Sequence, residues 1–217
     1  MTSFILTLLS FFQHPRRLLE EKSVVVASRI SVPKKNRFKT DHSRIKKCRV
    51  TVLGARNSIV AEHADIHRSS IMIEGNDNQI IIKGNTQIYN LQVIIKSNKG
   101  LIHIGENTTF GGGTVVCGGD GNAITIGEKC MIAEGVEIWN SDTHVITSQG
   151  EQLNYDSPIQ IHDHVWLGKN VTVLKGVTIG ENAIVGMKSL VTKNINPNTI
   201  NAGIPAKEIR DQVTWRK

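Results

Sequence analysis

From Ile161 onward the chain alternates apolar and polar places with a period of six: IHDHVW, LGKNVT, VLKGVT, IGENAI, VGMKSL, VTKNIN. The first place of these units holds Ile161, Leu167, Val173, Ile179, Val185 and Val191. The fifth is mostly small or β-branched: Val165, Val171, Val177, Ala183, Ser189. Upstream the unit returns every 22 residues. Val60, Ile66 and Met72 are six apart, and the set recurs at Ile82, Ile88 and Ile94, at Ile104, Phe110 and Val116, and at Ile126, Ile132 and Ile138. All twelve places are apolar in a chain that is 39% hydrophobic, a coincidence expected roughly once in 10⁵.

Six residues make one short strand and one corner, and three such units close a triangular coil. The apolar first residue points inward and stacks on its equivalent in the next coil, about 4.8 Å away. One coil cannot bury its own apolar set, so the coils must stack. The pattern predicts an all-β parallel β-helix with 22-residue and then 18-residue coils. Hexad repeats resemble the left-handed kind, an exception to the usual right-handed crossover. The extra residues of the longer coils are turn formers, as in Gly75-Asn76-Asp77-Asn78, Ser97-Asn98-Lys99-Gly100 and Gly119-Asp120-Gly121-Asn122, so one corner should carry a small loop. A β-sandwich would space its turns irregularly, and the strict sixes argue against it. The expected organisation is an N-terminal segment 1–50, a β-helix 51–200 interrupted by a loop at 139–160, and a tail 201–217.

Charge changes the picture at one end. The net charge is +7, but residues 1–50 hold twelve Lys/Arg against three Asp/Glu, and the remainder fourteen against sixteen. The basic character, +9, belongs to the N-terminal segment, and the near-neutral repeat removes a nucleic-acid reading. A polyanion or an anionic membrane surface suits such a segment, and a solvated basic arm is the plainer alternative. Phe4 to Phe12 (FILTLLSFF) is apolar but too short to span a bilayer, and it lacks the flanks of a signal peptide. A short helix, buried or lying on a membrane, is expected there. Cys48, Cys117 and Cys130 show no metal-type spacing, which fits reduced structural cysteines in a cytoplasmic protein. The 217-residue composition excludes a disordered chain, a disulfide-stapled miniprotein and a polytopic membrane protein.

Between Ile138 and Ile161 the period fails. The polar stretch WNSDTHVITSQGEQLNYDSPIQ contains His144, two residues after Asp142. A solenoid has no structural need to interrupt itself, and loops on rigid scaffolds often carry function. Histidine is the side chain suited to accept a proton near neutral pH. Asp142 could orient it or cap the loop.

The hexads, the looped-out His144 and the ending AGIPAKEI (Ala202–Ile209) resemble the hexapeptide-repeat acyltransferases. Within that family, EGVEIWNSDTH, HVWLGKNVTVLKGV and AGIPAKEI…VTWRK are similar to the polysialic acid O-acetyltransferases of encapsulated bacteria, over about residues 55–217. The resemblance implies a left-handed β-helix homotrimer that moves an acetyl group from acetyl-CoA to a sugar hydroxyl, without a metal. It implies His144 as general base and a cofactor site at Trp166, Gly168 and Met187 for the pantetheine arm, with Thr192, Lys193, Lys207 and Arg210 for the adenosine and its phosphates. It also implies a site shared between neighbouring chains and a polysaccharide acceptor, with the protein in the cytoplasm or peripheral to the inner membrane. Val145 stands where many relatives have proline, Ile204 where Asn or Ser often precedes PAK, and residues 1–50 have no counterpart in the motifs. The rival readings are an acetyltransferase for another sugar or small acceptor, a glycan-binding β-helix without activity, and a zinc-dependent carbonic anhydrase on the same fold. The last needs three converging ligands, whereas His162 and His164 share one unit.

Overall fold

The computed structural model describes residues 18–19 and 23–217. The described chain contains no helix; it winds into a left-handed parallel β-helix of three faces. The first face stacks Leu18–Leu19, Arg37–Asp41, Ser58–Glu62, Gln79–Ile82, Leu101–Ile104, Ala123–Ile126, Ile159–Ile161 and Thr178–Ile179. The second runs from Val24–Val26 and Arg44–Lys46 through Asp65–His67, Gln87–Tyr89, Thr109–Phe110 and Met131–Ile132 to Trp166–Leu167 and Ile184–Val185. It ends in the antiparallel pair Ile200–Gly203 and Ala206–Arg210. The third begins at Arg29–Ser31 and Arg49–Leu53 and ends at Thr172–Leu174 and Leu190–Val191. The predicted short helix at Phe4 to Phe12 lies outside the described residues.

The 22-residue and 18-residue coils occur as expected: Ile80 pairs with Ile102, and Ile161 with Ile179. Two expectations need correction. Residues 24–50 are not a separate basic segment but the first coils of the helix, with shorter repeats. Val24 pairs with Arg44 and Arg44 with Asp65, 20 and 21 residues on. In these strands Ile30, Phe38, Ile45 and Val50 are buried while the intervening cations face water, so the charge coats a solenoid with an ordinary core.

The second correction concerns register on the third face. Ile71 and Ile73, Val93 and Ile95, and Val115 and Cys117 point inward, whereas Met72 and Ile94 face outward, half-buried. Val60 is likewise displaced: Ile82 pairs with Ala61, not Val60. The corners differ in length by one residue from coil to coil, and a slip of one residue exchanges the two sides of a strand. The other places of the repeat are buried, among them Phe110, at the full depth of the core.

The Gly/Asn corners hold ladders of amides. Asn36 Oδ1 accepts from the Asn57 N–H and Nδ2 at 2.9 and 3.0 Å, and Asn57 Oδ1 accepts from the Asn78 N–H and Nδ2 at the same distances. A second ladder runs from Asn76 to Asn98 to Asp120. In the first ladder each side chain satisfies a backbone donor of the coil above it, in the second a backbone donor of the coil below it.

The register predicts a sharp contrast within one strand. Ile95→Ala should cost about 2–5 kcal/mol, the usual penalty for an isoleucine emptied from a core. Its neighbour Ile94→Ala should cost about 1 kcal/mol or less. Thermal midpoints of the two variants must fall in that order, and the reverse order would refute the inward assignment of Ile95.

Candidate active site

The solenoid breaks between the third-face strand Val136–Trp139 and the first-face strand Ile159–Ile161. Asn140, fully buried, anchors both ends of the break. Its Oδ1 accepts the Gly118 N–H at 2.7 Å, its Nδ2 donates to Gly118 O at 3.2 Å, and its carbonyl accepts the Ser157 N–H at 3.1 Å. The intervening loop projects into solvent and folds back as a small antiparallel hairpin, Thr147–Ser148 against Glu151–Gln152. A residue with a Cβ at Gly118 would meet Ser141 Cβ at 2.7 Å, so glycine lets the loop base seat on the coil below.

Within the loop His144 is exposed, and its position is set by neighbours that sequence reasoning did not single out. Thr143 adopts φ +62°, a rare conformation for a β-branched residue. Its N–H is held by Ser141 Oγ at 2.9 Å, and its Oγ1 lies 3.0 Å from His144 Nδ1. In the tautomer where Nδ1–H donates to that hydroxyl, Nε2 carries the free lone pair. Asn154 braces the turn from the far side: its Nδ2 donates to His144 O at 2.8 Å and to Asp142 Oδ2 at 2.7 Å, and its Oδ1 accepts the Ile146 N–H at 2.6 Å. His144 and Thr143 line a cleft of about 210 Å³ together with Gly118, Gly119, Ser141 and Asp156.

The Asp142 carboxylate is engaged by partners other than the imidazole. Its carboxylate accepts from Lys175 Nζ and from Asn154, and the Lys175 ammonium, followed by the Asn154 amide, holds its carboxyl below the usual carboxylate range. Of its two expected roles the geometry matches the second: it ties the loop to the next coil. The signal that could have shown this was Lys175 in the corner VLKGV, but no sequence spacing links residues 33 apart.

The expected cofactor residues divide between two edges of the prism and the closing strand. Trp166 is half-buried on the second face, in register between Met131 and Ile184, with Trp215 at 6.0 Å between ring centroids. Gly168 sits at the edge shared by the second and third faces, where a Cβ would stand 2.7 Å from Met187 N. Met187, on the same edge one coil on, is 64% exposed. Lys207 and Arg210 are exposed on the closing strand Ala206–Arg210. Thr192 and Lys193, also exposed, follow Leu190–Val191 at the edge between the third and first faces, the edge from which the His144 loop leaves two coils earlier. One chain therefore brings together Trp166, Gly168 and Met187, but it places His144 on a different edge of the prism.

Two further groups are accounted for by structure. His164 stacks on Trp215 with centroids 4.3 Å apart, and its Nδ1 lies 2.7 Å from Asn182 Oδ1. Cys117 and Cys130 are free and buried, and burial pushes each thiol up to about 11, far from a reactive thiolate at neutral pH.

A β-helix of hexad coils interrupted by a histidine-bearing loop is an architecture found among known acetyltransferases. Residues 158–193 match the family described as bacterial transferase hexapeptide (six repeats). The galactoside O-acetyltransferase of Escherichia coli (strain K12) is 44% identical over 68 residues, 31% of this chain and 32% of that protein, and the chain spans between 27% and 32% of the curated relatives it matches. Two solved structures match far more. The polysialic acid O-acetyltransferase OatWY is 32% identical over 90% of each chain with a TM-score of 0.74. The polySia-specific acetyltransferase NeuO is 26% identical over 90% of this chain and 88% of its own, with a TM-score of 0.69. The chain belongs to the hexapeptide-repeat acyltransferases. The overlap exceeds the span 55–217 read from the motifs, so part of the basic N-terminal region has a structural counterpart as well.

The bracing role of Asn154 has a direct readout. Asn154→Ala removes the acceptor of the Ile146 amide, and a hydrogen bond of about 1 kcal/mol corresponds to severalfold faster exchange at that amide. Unchanged protection of Ile146 in hydrogen–deuterium exchange would refute it.

Proposed function

We propose that the protein is an acetyl-CoA-dependent O-acetyltransferase acting on hydroxyls of a sialic acid-containing bacterial surface polysaccharide, in the cytoplasm where acetyl-CoA is available. The observation that carries this reading is the match over nine-tenths of the chain to polysialic acid O-acetyltransferases, with an exposed, backbone-braced histidine in the loop that interrupts the repeat.

In this reading His144 Nε2 takes the proton of an acceptor hydroxyl. The oxygen attacks the thioester carbonyl, and the tetrahedral intermediate collapses with cleavage of the carbon–sulfur bond. The departing thiolate receives the proton from the imidazolium, which restores the base. With Nδ1–H donating to the Thr143 hydroxyl, the lone pair of Nε2 is left for the substrate. The high thiol pKa values of Cys117 and Cys130 favour direct transfer over an acyl-enzyme. Trp166, Gly168 and Met187 would receive the pantetheine arm, where the absence of a side chain at Gly168 keeps the edge low. Thr192, Lys193, Lys207 and Arg210 would hold the adenosine and its phosphates, to which exposed cations are suited. Because His144 and the pantetheine residues occupy different edges of one chain, a complete site requires the loop of a neighbour, which supports a homotrimer with its three sites at the subunit boundaries.

A positioned general base contributes about 10²–10⁴ in rate, so His144→Ala should lower acetyl transfer to long-chain polysialic acid by that factor with acetyl-CoA affinity retained. A variant keeping more than about a tenth of the rate removes His144 from this role. Shared sites make a second test. His144→Ala chains and Met187→Arg chains, each inactive alone, should regain measurable activity when co-assembled, since a mixed boundary pairs an intact loop with an intact edge. Absence of any recovery in verified mixed trimers would mean that each site lies within one chain.

A further inference from the structure

The edge between the second and third faces carries, in its first four coils, a cleft of about 610 Å³ lined by Arg29, Lys47, Arg49, Arg68, Asn90 and Gln92. The cations stand in two columns. Lys47 and Arg68 occupy the left-handed corner of successive coils, φ 56° and 49°, and the Arg68 N–H donates to Lys46 O at 2.9 Å. Arg29 and Arg49 are register partners at the start of third-face strands, continued by Ser70 and Gln92. All four cations are exposed.

Elsewhere on the solenoid a cation is matched across coils: Arg56 by Asp77, Lys83 by Glu62, Lys96 by Glu74. At this edge like charges are stacked, and none of the ion pairs found among the described residues engages Arg29, Lys47, Arg49 or Arg68. Like charges directly opposite in a sheet repel. An arrangement that concentrates four of them in one concave site gains most from an external anion.

We propose that this cleft binds a carboxylate-bearing polysaccharide, holding the acceptor polymer at a distance from the reacting sugar. The inference rests on the acetyltransferase reading for the polymer's identity. Successive coils present cations about 4.8 Å apart, a ladder suited to an extended chain with an acidic group on each sugar, and the arginine forks fit carboxylates. Ser70, Asn90 and Gln92 add uncharged polar groups of the kind that meet sugar hydroxyls. The lining offers no aromatic side chain on which a nucleic-acid base would stack. It also has no exposed large apolar residue to enter a bilayer, Leu91 being buried. The same edge carries Gly168 and Met187 farther along, so a polymer seated in the cleft runs parallel to the axis toward the proposed pantetheine site.

The test compares the full-length protein with Arg49→Glu/Arg68→Glu, both at exposed positions. Calorimetric binding of long-chain polysialic acid should weaken by about tenfold or more, and the wild-type affinity should fall steeply with salt. The loss should be larger for the long polymer than for a sialic acid dimer, while the thermal midpoint and acetyl-CoA affinity hold. Polymer binding within about twofold of wild type overturns the proposal. So does a double variant that loses only its binding to phosphatidylglycerol vesicles, which would make the cleft a membrane contact. Binding involves no acetyl transfer, so the two readings fail separately. A wild-type protein that binds polymer through the cleft but acetylates nothing overturns the acetyltransferase reading and sustains the cleft. Acetylation of the polymer with binding unaltered in the double variant overturns the cleft alone.

Discussion

The structure depends on backbone hydrogen bonding along the solenoid axis: apart from the loop hairpin and the closing antiparallel pair, each strand bonds to the equivalent strand of the coil before and the coil after. That ladder must continue around three corners per coil, and the corners meet it by turning one residue left-handed. The N–H groups of His63, Asn85, Asn107, Lys129, His164 and Asn182, each at positive φ, donate in turn to carbonyls of the preceding coil. A non-glycine residue in this conformation costs roughly 1 kcal/mol, offset here by a satisfied backbone donor and a closed coil. The constraint also says where chain can be inserted. Strands must keep register, so added residues appear only at corners, and residues 140–158 are the extreme case. The His144 loop is therefore an enlarged corner, with Asn140 accepting a backbone N–H from the coil below as Asn98 does from Asn76 and Asp120 from Asn98.

The solenoid was legible because hexads such as LGKNVT and IGENAI state strand and corner together, and each unit repeats the evidence. Legibility failed wherever corner length changed. Met72 and Ile94 are six residues from Ile66 and Ile88, yet they face outward, because a corner one residue different moves the inward set to Ile71 and Ile73, and to Val93 and Ile95. The first coils were missed for a related reason. Their strands, such as Arg37–Asp41 and Arg44–Lys46, alternate buried and charged places with period two but repeat at 20 and 21 residues, so composition outweighed pattern. In the candidate site, His144 was visible as an unexplained histidine in a break. Thr143, Asn154 and Lys175 were not, because their roles arise from contacts across the loop and between coils that no local spacing encodes.

A triangular prism separates its chemistry by edge, and this separation bears on how a polymer could be handled. The His144 loop leaves from the edge between the third and first faces, whereas Gly168 and Met187 lie on the edge between the second and third. In the proposed trimer, with parallel axes, the groove between two neighbouring chains would be bounded by one edge of each kind. Such a groove would run the length of the solenoid and would give an extended acceptor a straight path that no single loop-built pocket offers. The charge distribution follows the same axis. Arg29, Lys47, Arg49 and Arg68 mark the early coils of the edge that later carries Met187, while Lys207 and Arg210 cluster on the closing strand at the other end. Two anionic ligands, a polymer and a nucleotide-bearing donor, would thus be drawn to opposite ends of one groove. Their competition for a shared positive field would be small, since several coils lie between them, a separation beyond the Debye length of about 8 Å at physiological salt.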